Sequence, residues 1–193
     1  MKKILWVFLL FPLLFSNVKG QYGTGFTPQY IHSINLTHMM SNYDKNTIMA
    51  PGLTYRARLN FMKFSFRTSL SLEVPLSIGY TLDPLPGDDQ IAYEIPISLN
   101  FNVGYGSALT TRRTLGGFLG LGYAFNSISN QRFDKVNEKE IVLESTRGVM
   151  IQAGVRALIF GNYGFTSGGY VIIGNEESFV FGVRAGFIFN LLQ

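Results

Sequence analysis

Phe64-Ser65-Phe66-Arg67-Thr68-Ser69-Leu70-Ser71-Leu72-Glu73-Val74-Pro75-Leu76-Ser77-Ile78-Gly79-Tyr80-Thr81-Leu82 decides the fold. Its even positions read Phe, Phe, Thr, Leu, Leu, Val, Leu, Ile, Tyr, Leu, and its odd positions Ser, Arg, Ser, Ser, Glu, Pro, Ser, Gly, Thr. One set is almost wholly apolar, and the other contains no large apolar residue. Side chains that change face at every residue define a β-strand, and this one is unusually long.

The pattern then repeats with its parity reversed. Ile91, Tyr93, Ile95, Ile97, Leu99, Phe101, Val103 and Tyr105 lie on one face, with Ala92, Glu94, Pro96, Ser98, Asn100, Asn102 and Gly104 on the other. The polar, Pro- and Gly-bearing segment from Asp83 to Asp89 joins the two runs into a hairpin. Weaker alternation covers Leu53–Phe61, Leu115–Phe125, Val149–Ile159 and Phe179–Phe189, with Met62-Lys63 read as a tight turn into the long strand. Two further strands are expected near Pro28–Met39 and Tyr163–Ile173, where the alternation is muddled. The sum is eight strands, with no amphipathic helix and no domain boundary among them.

Alternation alone does not say which solvent lies outside. A soluble barrel turns its apolar face inward and covers the other with Lys and Glu. Here the polar face is mostly Ser, Gly, Asn and Thr, which suits the crowded interior of an eight-stranded barrel. Its charges are Arg56, Arg58, Arg67, Arg156 and Arg184 with Glu73 and Glu94, a set suited to an ion-pair network in a lumen. The opposite face carries Leu, Val, Ile, Phe and Tyr, as hydrocarbon demands. The sequence therefore predicts an all-β, eight-stranded, antiparallel up-and-down transmembrane barrel.

The start of the chain points the same way. Lys2 and Lys3 precede an apolar run from Ile4 to Phe15 broken by Pro12, and Val18-Lys19-Gly20 follows. This is the layout of a cleaved secretory signal, with residues 1–20 removed and 21–193 forming the barrel domain. The chain is formally +4, and three of those charges, Lys2, Lys3 and Lys19, leave with the signal, so its basicity gives no argument for a nucleic-acid partner. There are no cysteines, hence no disulfide framework, and a closed hydrogen-bonded sheet does not need one.

Connections and aromatic residues fit a barrel standing in a bilayer. The tight turns Met62-Lys63 and Gly161-Asn162 fall at one end, and the long, charged Asn126–Glu140 connection falls at the other. Phe61, Phe64, Phe66, Phe101, Tyr105, Tyr163, Phe187 and Phe189 group toward the first end. Tyr80, Tyr93, Tyr123, Phe125 and Phe179 group toward the second. Two aromatic girdles mark the two membrane interfaces.

Glu73-Val74-Pro75-Leu76-Ser77-Ile78 and Glu94-Ile95-Pro96-Ile97-Ser98-Leu99 are near copies on neighbouring strands. A proline inside a paired strand lacks a ladder donor, so each copy is expected to mark a bulge or bend. Tyr93-Glu94-Ile95-Pro96-Ile97 resembles the LEIP-L strand motif of the PorT-like outer-membrane β-barrel family. Gly116-Gly117-Phe118-Leu119-Gly120-Leu121-Gly122-Tyr123 is similar to the glycine-rich strand that follows it there. The resemblance implies a porin-like or OmpA/OmpX-like eight-stranded domain without enzymatic activity or cofactor.

Chemistry-bearing groups are sparse. His32 and Ser33 are neighbours and point to opposite faces, while His38 with Ser41 or Asp44 is the one arrangement compatible with a lipid-A-modifying hydrolase. Glu73 and Glu94 are a conceivable acid–base pair, but inward arginines make them salt-bridge partners. Arg132, Asp134, Lys135, Glu138, Lys139 and Glu140 make a sign-balanced outer connection, by default a solvated loop and otherwise a contact surface for lipopolysaccharide or a protein of the envelope. The reading that follows is a non-catalytic bacterial outer-membrane barrel with a side-chain-filled lumen, no cofactor and no metal. Its partners are membrane lipid, lipopolysaccharide and the outer-membrane assembly machinery. A narrow porin-like channel, a lipid-A-modifying enzyme and a soluble lipocalin-like carrier are the alternatives.

Overall fold

A computed structural model of the chain describes residues 25–43, 46–65, 67–82, 91–107, 113–128, 131–134, 139–142, 145–161, 163–174 and 178–189. The proposed signal at residues 1–20 lies outside the described residues. Among the described residues there are ten strands: β1 (Gly25–Tyr43), β2 (Asn46–Ser65), β3 (Thr68–Tyr80), β4 (Ile91–Gly104), β5 (Leu115–Asn126), β6 (Gln131–Asp134), β7 (Lys139–Val142), β8 (Thr146–Phe160), β9 (Tyr163–Gly174) and β10 (Phe179–Phe189). Eight of them form a closed barrel in the order β1-β10-β9-β8-β5-β4-β3-β2, every neighbour antiparallel. β6 and β7 form a separate hairpin within the connection from β5 to β8. That connection is thus not a plain loop.

Chain direction gives the barrel two rims. Gly25, Phe189 and the strand ends at Ser65, Thr68, Gly104, Leu115, Phe160 and Tyr163 define the lower rim. The strand ends at Tyr43, Asn46, Tyr80, Ile91, Asn126, Thr146, Gly174 and Phe179 define the upper one, and β6 and β7 lie in the sequence between its Asn126 and Thr146 ends.

Parity along each strand decides what faces outward. On β4 the alternation is unbroken from Ile91 to Gly104: every odd position is exposed and every even one buried. Leu36, Leu53, Ile78, Ile97, Leu99, Leu121 and Val183 belong to the same outward belt. Aromatic rings border it. Phe64–Phe101, Phe160–Tyr163 and Phe165–Phe187 meet toward the lower rim, at centroid separations of 6.3, 5.1 and 6.2 Å. Tyr93 and Phe125 stack at 5.7 Å toward the upper one, where Arg147 on β8 lies over Phe125. Arg147 is positioned to lay its stem on apolar surface and lift its charge toward the interface.

Three local expectations need correction. Met62 and Lys63 do not turn; they remain in β2, opposite Leu70 and Ser69, and the chain reverses at 66–67 after register shifts at Asn60/Met62 and Lys63/Ser65. Tyr105 does not join the outer girdle. Positive φ at Gly104 (71°) and Gly106 (78°) breaks the strand parity on either side of it, and the ring is buried at the lower end of the lumen. The prolines make no bulge between their two strands. β3–β4 pairing stops after Glu73↔Ser98 and resumes at Ser77↔Glu94 in unchanged register, which sets Pro75 opposite Pro96. Two residues without N–H groups thus share one gap in the ladder.

A cation on the outward belt should be costly. Leu121, 60 % exposed and registered between Leu99 and Ile151, is expected to lose about 2–4 kcal/mol of folding free energy as Leu121→Arg. Urea titration in lipid vesicles, read by far-UV circular dichroism, measures it.

Candidate functional site

Odd positions of β3, even positions of β4, and the even positions 54–60 of β2 and 146–156 of β8 point inward, so charges far apart in sequence meet inside the barrel. Glu73, in the middle of β3, is registered opposite Arg58 but pairs with Arg56. Both Nη2 (2.7 Å) and Nε (3.1 Å) of Arg56 donate to Glu73 Oε1. Gln152 reaches across from β8 and donates through Nε2 to the same Oε1 (3.2 Å), to Ser98 Oγ (2.8 Å) and to Asn100 Oδ1 (2.7 Å). Arg156 Nη1 donates to Asn102 Oδ1 at 2.8 Å, and Asn102 Nδ2 donates to Ser71 Oγ at 2.9 Å.

Phe118 holds two of these cations from the side. The Arg156 and Arg56 guanidinium carbons lie 4.3 and 5.2 Å from its ring centroid. Its ring fills the space that a side chain on Gly154 would take and lies close to Gly168. A ring face toward a cation is attractive, the more so when both are removed from water.

A second cluster sits nearer the upper rim. Glu94 on β4 accepts from Arg184 Nη2 through Oε1, and from Tyr170 OH (2.8 Å) and Asn126 Nδ2 (2.9 Å) through Oε2. The Arg184 guanidinium lies 3.9 Å from the Tyr170 ring centroid, and that ring occupies the room left by Gly182. One carboxylate is matched here by one guanidinium.

Apolar clusters lie toward both ends of this polar column. Ile31, Tyr105 and Ile188, with Leu158 against them, fill the lower end. Met39, Ala50, Ala92 and Ile128 form one cluster toward the upper end, and Ala124, Met150, Tyr170, Ile172 and Val180 another.

The structure therefore brings Arg56, Arg58, Glu73 and Arg156 together low in the lumen, and Glu94 with Arg184 above them. Arg67 is corrected. It lies in the exposed turn at 66–67, because β2 continues past the anticipated reversal and β3 begins only at Thr68. Arg132 and Asp134 stand on β6 and Lys139 on β7, with Asp134 registered opposite Lys139. Lys135 and Glu138 lie outside the described residues. Phe118, Gln152 and Tyr170 are members of the site that residue-type reasoning missed. Phe118 and Gln152 stand at inward positions by the parity of their strands, whereas Tyr170 lies on β9, where the alternation is muddled.

The histidines do not assemble a hydrolytic site among the described residues. His32 faces outward, shares a 2.6 Å hydrogen bond between Nδ1 and Tyr55 OH, and stacks near Tyr55 and Phe189. His38 is on the outward parity of β1 and Ser41 is buried on the inward one. Asp44 lies outside the described residues.

No protein-family model matches the chain, and no characterised protein matches it by sequence. Solved structures do match its shape. Neisserial surface protein A superposes with a TM-score of 0.52 at 13 % identity, covering 84 % of this chain and 97 % of that one. Ail, the attachment invasion locus protein of Yersinia pestis, superposes at 0.56 with 9 % identity in its complex with the heparin analogue sucrose octasulfate, covering 83 % and 98 %. Identities this low establish shared architecture. These neighbours are small outer-membrane barrels of eight strands, and this chain has that fold. With an apolar belt outside a closed barrel, it belongs to the bacterial outer membrane.

Replacing Glu73 by Gln keeps its shape and strands three guanidinium groups without a carboxylate. Glu73→Gln is expected to cost about 3–5 kcal/mol, the range for breaking a buried ion pair by removing one partner. Equilibrium unfolding in urea checks this, and a loss of only about 0–1 kcal/mol would mean that the pair behaves like an exposed one.

Proposed function

We propose that this chain is a non-conducting, non-catalytic barrel of the cell envelope that serves as a structural or interaction protein through its upper rim. The observation that carries this reading is the stack inside the barrel, an ionic middle section held between apolar clusters at both ends. A conducting lumen needs a continuous water path, and a bound cross-network sealed by Tyr105, Ile31 and Ile188 opposes one. In this reading residues 1–20 are the export signal, and the mature chain passes through the outer-membrane assembly machinery.

The upper rim is the natural place for contacts. It bears the longest connection and the β6–β7 hairpin, with Arg132, Asp134 and Lys139 on the strands and Lys135 and Glu138 between them. Mixed charges on such a rim suit the phosphates and sugars of lipopolysaccharide, or a partner protein of the envelope. The heparin analogue in the Ail complex offers a precedent for a polyanion on this architecture. The kinship with PorT-like barrels belongs to the same proposal and rests on the Glu94-Ile95-Pro96 strand and the glycine-rich β5.

Single-channel recording in planar bilayers tests the reading. The purified protein is expected to give no stable unitary current, and a reproducible conductance step would establish the pore in its place.

A further inference from the structure

The lower cluster carries more charge than its residues balance. Among the described residues, Arg56, Arg58 and Arg156 are buried beside a single carboxylate, Glu73, and the carboxylate above them, Glu94, is taken by Arg184. Guanidinium does not surrender its proton in proteins, so the excess cannot be relieved by titration. Phe118 offsets part of it for Arg56 and Arg156 through its ring face. The rest sits beside the apolar cluster of Ile31, Tyr105 and Ile188.

The same groups are short of acceptors. Among the described residues, Arg58 Nε, Arg58 Nη2 and Arg156 Nη2 are buried without a protein partner, as is Thr166 Oγ1, and the two arginines are only 5 % and 2 % exposed. All three residues line one cavity of about 10 Å³. Thr166 is registered directly opposite Arg156, so the shared wall is built into the β8–β9 pairing. Glu73 also borders the cavity, with its Oε1 already covered by Arg56 and Gln152.

We propose that this cavity holds one monatomic anion, a halide such as chloride, as a built-in counter-ion of the barrel. Two observations converge on that class of ligand: unmatched positive charge, and donors without acceptors among the described residues. The space, at the lower limit for one water, admits a chloride once the flexible arginine side chains shift slightly outward. The volume excludes phosphate, sulfate and carboxylates. Charge favours a halide over water, which brings donors of its own and neutralises nothing. The anion would tie β2 to β8 and β9 across the lumen, making barrel stability depend on the identity of the salt.

Two measurements decide it, both on the full protein extracted in detergent. Thermal unfolding in sodium chloride or bromide is compared with sodium gluconate, whose anion is too large to enter, at equal ionic strength. The halides are expected to raise the midpoint by about 2–4 °C, and Arg58→Met is expected to abolish the difference. Equal midpoints in all three salts, or a halide effect unchanged in Arg58→Met, would overturn the site. Diffraction from crystals grown in bromide covers the case in which Arg58→Met does not fold. An anomalous peak within hydrogen-bond distance of Arg58 and Arg156 supports the proposal, and density there without anomalous signal is a water and refutes it.

Discussion

Hydrocarbon offers no partner to a backbone N–H or C=O, and a strand edge exposed to it would leave a whole row of such groups unpaired. A sheet standing in a bilayer therefore has to close on itself. In this chain β1 meets that requirement by pairing with β2 on one side and β10 on the other. Closure then gives the period-two pattern its meaning. Residues of one parity meet lipid, those of the other are packed together in a narrow lumen, and a shift of one residue would exchange the two sets.

The lumen is the core of this protein, though its chemistry inverts that of a soluble core. Glu73, Glu94 and four arginines occupy positions that Leu or Phe would hold elsewhere, while Leu and Phe face outward. Large groups fit because glycines stand opposite them: Gly182 gives room to Tyr170, Gly154 to Phe118 and Gly164 to Tyr105. Small residues on the inward face are thus seats for specific rings. Paired ionic groups in low dielectric are weak sources of net stability but are costly to leave half-made, so the network acts mainly to fix one packing of the lumen.

Strands with strict alternation were legible residue by residue. On β3 and β4 the parity of Glu73 and Glu94 follows directly from their apolar neighbours, and that of Arg56, Arg58, Arg156 and Arg184 from theirs. β1 and β9 were harder for a physical reason. Ile31, Met39, Tyr170 and Ile172 turn inward to close the lumen, while His32, His38, Ser167 and Gly169 have outward parity, so hydropathy no longer reports the face. Parity also fails wherever the backbone slips. Two irregularities in β2 moved the turn to 66–67 and took Arg67 out of the lumen, and the Gly104–Gly106 turn swung Tyr105 into it. Paired prolines were visible in the sequence, but only the strand register shows that Pro75 and Pro96 face each other and so cost one gap instead of two.

The account stands on which parity of β3 touches lipid. Spin labels at Leu72 and at Ser71, adjacent residues on opposite faces of the strand, test it in reconstituted vesicles by their relaxation with oxygen and with a water-soluble nickel chelate. Oxygen-dominated relaxation at Leu72, with Ser71 shielded from the membrane interior, is the result this architecture predicts. Hydrocarbon at Ser71 and water at Leu72 would turn the sheet inside out and contradict it.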